Sequence, residues 1–129
     1  MTKEQHIDFW KKTGLEDWDT AEYNMQGKRN TAALFFFHLC IEKLLKAVWV
    51  KSNVGNTPPF SHDLIGISNQ TDLNVGADWY DYLNTINRWN IEGSYPDYKM
   101  KLHSIANADY MELHFQKVNS LKKWLLSKI

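Results

Sequence analysis

The segment that most constrains this fold is Asn30 to Ser52, the most apolar part of the chain. Ala33, Phe37, Cys40 or Ile41, Leu44 and Val48 recur at helical spacing and make one stripe. Leu34, Leu45 and Trp49 add a second face. A helix that is apolar on two sides needs neighbours on both, so this segment predicts the central core helix. Asn30 or Thr31 can cap its start.

The flanking segments supply those neighbours. Ile7, Trp10, Gly14, Trp18, Ala21 and Met25 step by three or four residues, predicting one helix over residues 4–26. Gly14 inside it marks a close helix contact or a kink, and Gly27 reads as a left-handed stop. Residues 53–61 hold Gly55 and Pro58-Pro59 and read as a loop. Ser61 or His62 opens a short helical turn, with Leu64 and Ile67 pointing inward. A helix from about Asp78 to Trp89 follows, with Trp79, Leu83, Ile86 and Trp89 inside. Glu92 to Asp97 reads as a loop, from its Gly and Pro. A last helix spans roughly Met100 to Lys128, along a drifting stripe of Leu102, Ile105 or Ala106, Asp109, Leu113, Val118, Leu121 and Leu125. Alternating strand-like runs are scarce. The expectation is an all-α, up-and-down bundle of four main helices plus a short connecting helix, with residues 1–129 as one domain.

Composition narrows the function. The 129 residues carry 15 basic and 15 acidic side chains, and this balance argues against a dedicated duplex-DNA binder. No apolar run approaches the roughly 20 residues that span a bilayer. The start, MTKEQHIDFWKK, lacks a signal peptide's apolar centre, so a cytoplasmic location is expected. Cys40 is the only cysteine, which excludes an intramolecular disulfide and predicts a buried, inert thiol. No HExxH, glycine-rich phosphate loop or serine elbow is present, so neither a cofactor nor metal catalysis is expected.

A few residues remain as candidates. Glu42 and Lys46 stand four apart in a helix, with Lys43 between them; the plain reading is an intrahelical ion pair. The functional reading puts both lysines at the rim of a groove, where they meet a phosphate. His38 lies mid-helix and reads more simply as a hydrogen-bonded core histidine than as a ligand. His62-Asp63 follows the double proline, with Ser61 or Asp63 as a cap and His62 free to bond across to another element. Tyr95-Pro96-Asp97 reads as a rigid turn, in which Asp97 caps the last helix and Tyr95 offers a stacking surface. His103 and His114, eleven apart, can share a helix face but not one metal.

Three blocks taken in order, ALFFFHLCIEKLLKAVWV, TPPFSHDLIGI and NIEGSYPDYK, make the chain resemble the HEPN domain family along nearly its whole length. They match the family's Glu-Lys-x-x-Lys helix, its His-Asp-Leu helix start and its Arg-Tyr-Pro-Asp loop. The resemblance implies a helical bundle, often dimeric and often encoded beside a minimal nucleotidyltransferase in toxin–antitoxin pairs. Some members are metal-independent ribonucleases with a spaced Arg–His pair; others are non-catalytic nucleotide- or partner-binding modules. Here Arg29 and His38 have eight residues between them, and Arg88 and His103 fourteen, against four to six in that motif. Ser94 stands where the family has arginine before Tyr-Pro-Asp, losing a bidentate phosphate contact.

The leading expectation is therefore a non-catalytic binding module, a homodimer or the partner of a nucleotidyltransferase. It would take a nucleotide or RNA phosphate near Lys43, Lys46, His62, Arg88, Ser94, Tyr95 and Asp97. One alternative is a ribonuclease toxin with an unusual site built from Arg88 or Arg29 and His62 or His38. Another is a purely structural bundle that holds a partner. Six tryptophans and six tyrosines exceed what a small core hides, and Trp18, Trp79, Trp89 and Trp124 are the residues whose exposure decides it.

Overall fold

The computed structural model describes residues 1–129 as six helices and no strand. They are α1 (Lys3–Gln26), α2 (Asn30–Ser52), α3 (Leu64–Ser68), α4 (Ala77–Ser94), α5 (Pro96–Ile105) and α6 (Ala108–Lys128).

α1 begins at a reciprocal capping box: the Thr2 hydroxyl accepts from the Gln5 amide, and the Gln5 side chain accepts from the Thr2 amide. The turn into α2 is not made by Gly27, whose φ is −81°; Lys28 takes the left-handed conformation at φ 61°. The tight turn folds α1 back along α2. Lys3 at the start of α1 donates to the carbonyls of Val50, Asn53 and Gly55 at the far end of α2, supplying a cation where the helix dipole is negative. Midway, a Cβ on Gly14 would sit 3.2 Å from Lys43 Cβ and 3.3 Å from the Cys40 carbonyl. Gly14 therefore marks close helix contact, not a kink.

α2 is the central element, as its two-faced pattern predicts. It contributes Ala33, Leu34, Phe37, Cys40, Ile41, Leu44 and Leu45 to one continuous core with Trp18, Leu83, Ile86, Trp89, Val118, Leu121 and Leu125. Burial pushes the Cys40 thiol up to about 12, so it is inert. Asp63 caps α3 by accepting from the Ile65 amide, and Asn87 of α4 holds both Asp63 and the Leu64 amide.

The C-terminal third departs from expectation. The supposed loop at residues 92–97 is largely helical, because α4 runs on to Ser94 and Pro96 starts α5 at a position where its missing N–H costs nothing. Gly93 lies inside α4 and meets Phe35, 3.4 Å from where its Cβ would be. The last helix is two helices, broken at Ala106-Asn107, where the Asn107 side chain caps α6 through the Tyr110 amide. Asp97 caps nothing; it is exposed in the first turn of α5. The inner face of α6 is Met111, His114, Val118, Leu121 and Leu125, whereas Asp109 and Leu113 point outward. The apparent drift of the stripe was the join between two helices of different phase.

Candidate functional site

Glu42 is the hub of a polar cluster inside the most apolar helix. It is 4% exposed, yet its carboxylate has three partners. Lys46, one turn on, donates to Oε2 at 3.1 Å. His62, twenty residues away in the loop before α3, reaches Oε1 with Nδ1 at 2.7 Å. His38, one turn back and fully buried, places Nε2 3.3 Å from the same oxygen. Burial is the largest single influence and raises the Glu42 carboxyl. The hydrogen bonds from His38 and His62 and the Lys46 charge together outweigh it and hold the group at about 2. The carboxylate is ionised and fixed.

The ring of His38 is fixed as well. Its Nδ1 lies 3.1 Å from the Ile86 carbonyl oxygen, which only accepts, so Nδ1 carries the hydrogen. His38 is the bonded core histidine of the plain reading and a member of the cluster too. The Glu42–Lys46 ion pair was legible from the four-residue spacing. That His62 bonds across to another element was also legible, but not that Glu42 is its partner, because only the path of the Pro58-Pro59 loop brings it back over α2. The available signal was the regular series His38, Glu42, Lys46, three polar residues at four-residue steps in an apolar helix.

The seven predicted residues do not form one pocket. Lys46 and His62 meet at Glu42. Lys43 turns toward α1 and pairs with Asp17 at 2.7 Å. Arg88 is exposed on α4 and donates to Glu92 at 3.0 Å. Ser94 returns its hydroxyl to the Asn90 carbonyl at 2.7 Å. Tyr95 and Asp97 stand exposed at the α4–α5 junction. That junction lies beside Phe35, seven residues or about 10 Å along α2 from Glu42. Each candidate cation thus has a carboxylate partner of its own. Lys46 borders a groove with His6, Trp10, Asn56, Pro59 and Phe60, but its volume of about 250 Å³ is below that of ordinary ligand pockets. Lys46 also lies 5.3 Å from the Trp10 ring centroid.

No hydrogen bond joins an arginine to a histidine of the ribonuclease alternative. Arg29 precedes α2, while His38 is buried nine residues further on. Arg88 is engaged with Glu92, and His62 with Glu42. No helix is long and apolar enough to cross a membrane.

A second feature lies at the other end of the helices. None of the six tryptophans is exposed, and Trp18 and Trp89 are buried. Eleven other large apolar residues are exposed, and six of them, Ile91, Tyr95, Tyr98, Met100, Ile105 and Leu113, run from the end of α4 through α5 into α6. Only Leu102 of the ten α5 residues is buried.

A family model described as HEPN domain matches residues 7–128. The chain belongs to the HEPN domain family. No curated protein and no solved structure matches it. The Glu-Lys-x-x-Lys block of this HEPN domain supplies Glu42, Lys43 and Lys46, and its His-Asp-Leu block supplies His62. The structure makes those two blocks contact partners through Glu42.

Proposed function

We propose that this HEPN domain is a non-catalytic binding module that works through protein contact, docking a second copy of itself on the face formed by α5 and its flanks. The observation that carries this reading is the inverted burial of α5, which covers Leu102 and leaves Tyr98, Met100 and Ile105 in water. A ten-residue helix is marginal alone and takes its stability from packing, so α5 is an element in need of cover. Exposed aromatic and methionine side chains are what interface cores are made of. A second copy fits as occupant, because the chain has no net charge to oppose self-association. The family's association with dimers and with nucleotidyltransferases supports a protein occupant.

The nucleotide or RNA reading has less support. Lys43, Lys46 and Arg88 each spend their charge on a neighbouring carboxylate.

Light scattering on the eluting protein tests the proposal. The expected result is a dimer that the double substitution Tyr98→Glu, Met100→Glu converts to a monomer with unchanged helical circular dichroism. A wild-type monomer at high micromolar concentration overturns it, and so does a double variant that keeps the dimer mass. A monomer that instead captures a co-expressed nucleotidyltransferase assigns the face to that partner and rejects the second copy.

A further inference from the structure

Two imidazoles and a carboxylate that converge are a ligand set as well as a hydrogen-bond cluster. We propose that His38, Glu42 and His62 form a binding site for one divalent cation of the zinc class. The donor atoms of the three side chains all lie within 4.8 Å of one another, with Glu42 Oε1 only 3.3 Å from His38 Nε2 and 2.7 Å from His62 Nδ1. Tetrahedral ligation at about 2.0–2.1 Å places donors roughly 3.3 Å apart. The cluster is near that geometry, and the adjustment falls on His62, whose side chain is 66% exposed on a loop.

His38 carries the argument further. Its Nδ1–H is committed to the Ile86 carbonyl, so in the neutral ring Nε2 presents a lone pair. That lone pair faces a carboxylate oxygen. Two lone pairs at 3.3 Å repel unless a positive centre lies between them, either a second proton on the ring or a metal ion. A backbone carbonyl holding the far nitrogen is also the usual outer support of a metal-bound histidine. Lys46 does the equivalent for Glu42 by holding Oε2 and turning Oε1 toward the two rings. The exposed side of His62 gives an ion its way in and leaves a coordination position for water. Two nitrogens and one oxygen suit zinc, cobalt or nickel, and do not suit magnesium or calcium, which take shells of oxygen. The Lys46 ammonium opposes a second cation nearby and weakens its binding. A bound ion would fasten the Pro58-Pro59 loop to α2.

The test is titration of the full chain, stripped with a chelator, with Zn²⁺ by calorimetry and with Co²⁺ by visible absorption. The expected result is one ion per chain, with cobalt bands typical of nitrogen and oxygen ligation. His62→Ala is expected to weaken binding about tenfold or more, with helical circular dichroism intact. His103→Ala, a change on exposed α5, is expected to leave it unchanged. Absence of saturable Zn²⁺ binding at micromolar ion overturns the proposal. So does His62→Ala protein that binds as wild type, or Mg²⁺ binding of equal strength.

Discussion

α2 and α5 invert each other. α2 buries fourteen of its 23 residues, including His38, Glu42 and Lys46, while α5 buries one of ten and holds Tyr98, Met100 and Ile105 in solvent. In α2 the chain accepted the cost of desolvating charges and offset it with a hydrogen-bond partner for every polar atom of the hub. In α5 it left apolar area uncovered. The first choice fixes the structure from within and is self-contained. The second is incomplete and calls for something outside the chain. The difference separates residues that act by holding the bundle together from residues that act by meeting a partner.

The comparison breaks most severely at Glu42. Glu42→Ala leaves the Lys46 ammonium and His38 buried without their common partner, and removing one side of such a pair costs about 3–5 kcal/mol. Urea unfolding is the measurement, and a loss below 1 kcal/mol would show the cluster to be ornamental. Next comes Gly14→Val. Its side chain meets Lys43 Cβ and the Cys40 carbonyl, neither of which moves without α2. Overpacking should cost about 2–3 kcal/mol despite the better helix propensity. An unchanged urea midpoint would mean that α1 and α2 are not closely seated.

Much of this contrast was legible in the sequence. The ends of α1 and α2 follow from apolar periodicity and agree with the structure to within a residue, although α2 is capped by neither Asn30 nor Thr31: its N-cap is Arg29, with no side-chain hydrogen bond. The Glu42–Lys46 pair and the buried Cys40 were legible for the same reason, since four-residue spacing on one helix is local information. What failed was non-local or ambiguous. That His62 bonds across to another element was legible, but its partner Glu42 lies twenty residues away and is reached by a loop whose path depends on the rest of the bundle. Gly93 and Pro96 read as loop punctuation, but the one makes room for Phe35 and the other occupies the first turn of α5. The break at Ala106-Asn107 showed in the sequence only as a drift of the apolar stripe, which one curved helix would give as well. Tyrosine and methionine exposure in α5 has no signature along the chain at all.

A smaller effect comes from acid. The Glu42 carboxyl titrates at about 2 in the fold against an ordinary 4.5, so its stabilisation is complete above 4.5 and is lost as pH falls from there toward 2. With solvent screening allowed for, the loss is on the order of 2 kcal/mol. His114 acts earlier and in the same direction. Its ring lies parallel to that of Tyr82, and burial and the Lys117 charge lower it from 6.5, so charging it below that pH works against the fold. Equilibrium unfolding of metal-free protein at pH 7, 5 and 3 should show both losses. Glu42→Gln should remove the lower-pH loss and keep the His114 one. Identical slopes in wild type and Glu42→Gln would mean that the carboxylate is not held as the geometry implies.

The smallest effect tests the other half of the contrast. Met100 is 72% exposed, so Met100→Gln removes almost no packing within one chain. In dilute protein, where copies are apart, the substitution should change stability by less than about 0.5 kcal/mol. In concentrated protein the wild type gains stability from association, which acts on the folded state by mass action, and the variant should gain less. Melting temperatures over a dilution series separate the two cases. Wild type should rise with concentration on a slope that Met100→Gln flattens, while Glu42→Ala lowers the whole line and leaves its slope unchanged. An interior defect shifts every concentration alike, because each copy carries it alone. A surface defect shows only where two copies meet, so a flat wild-type line would place α5 outside any self-association.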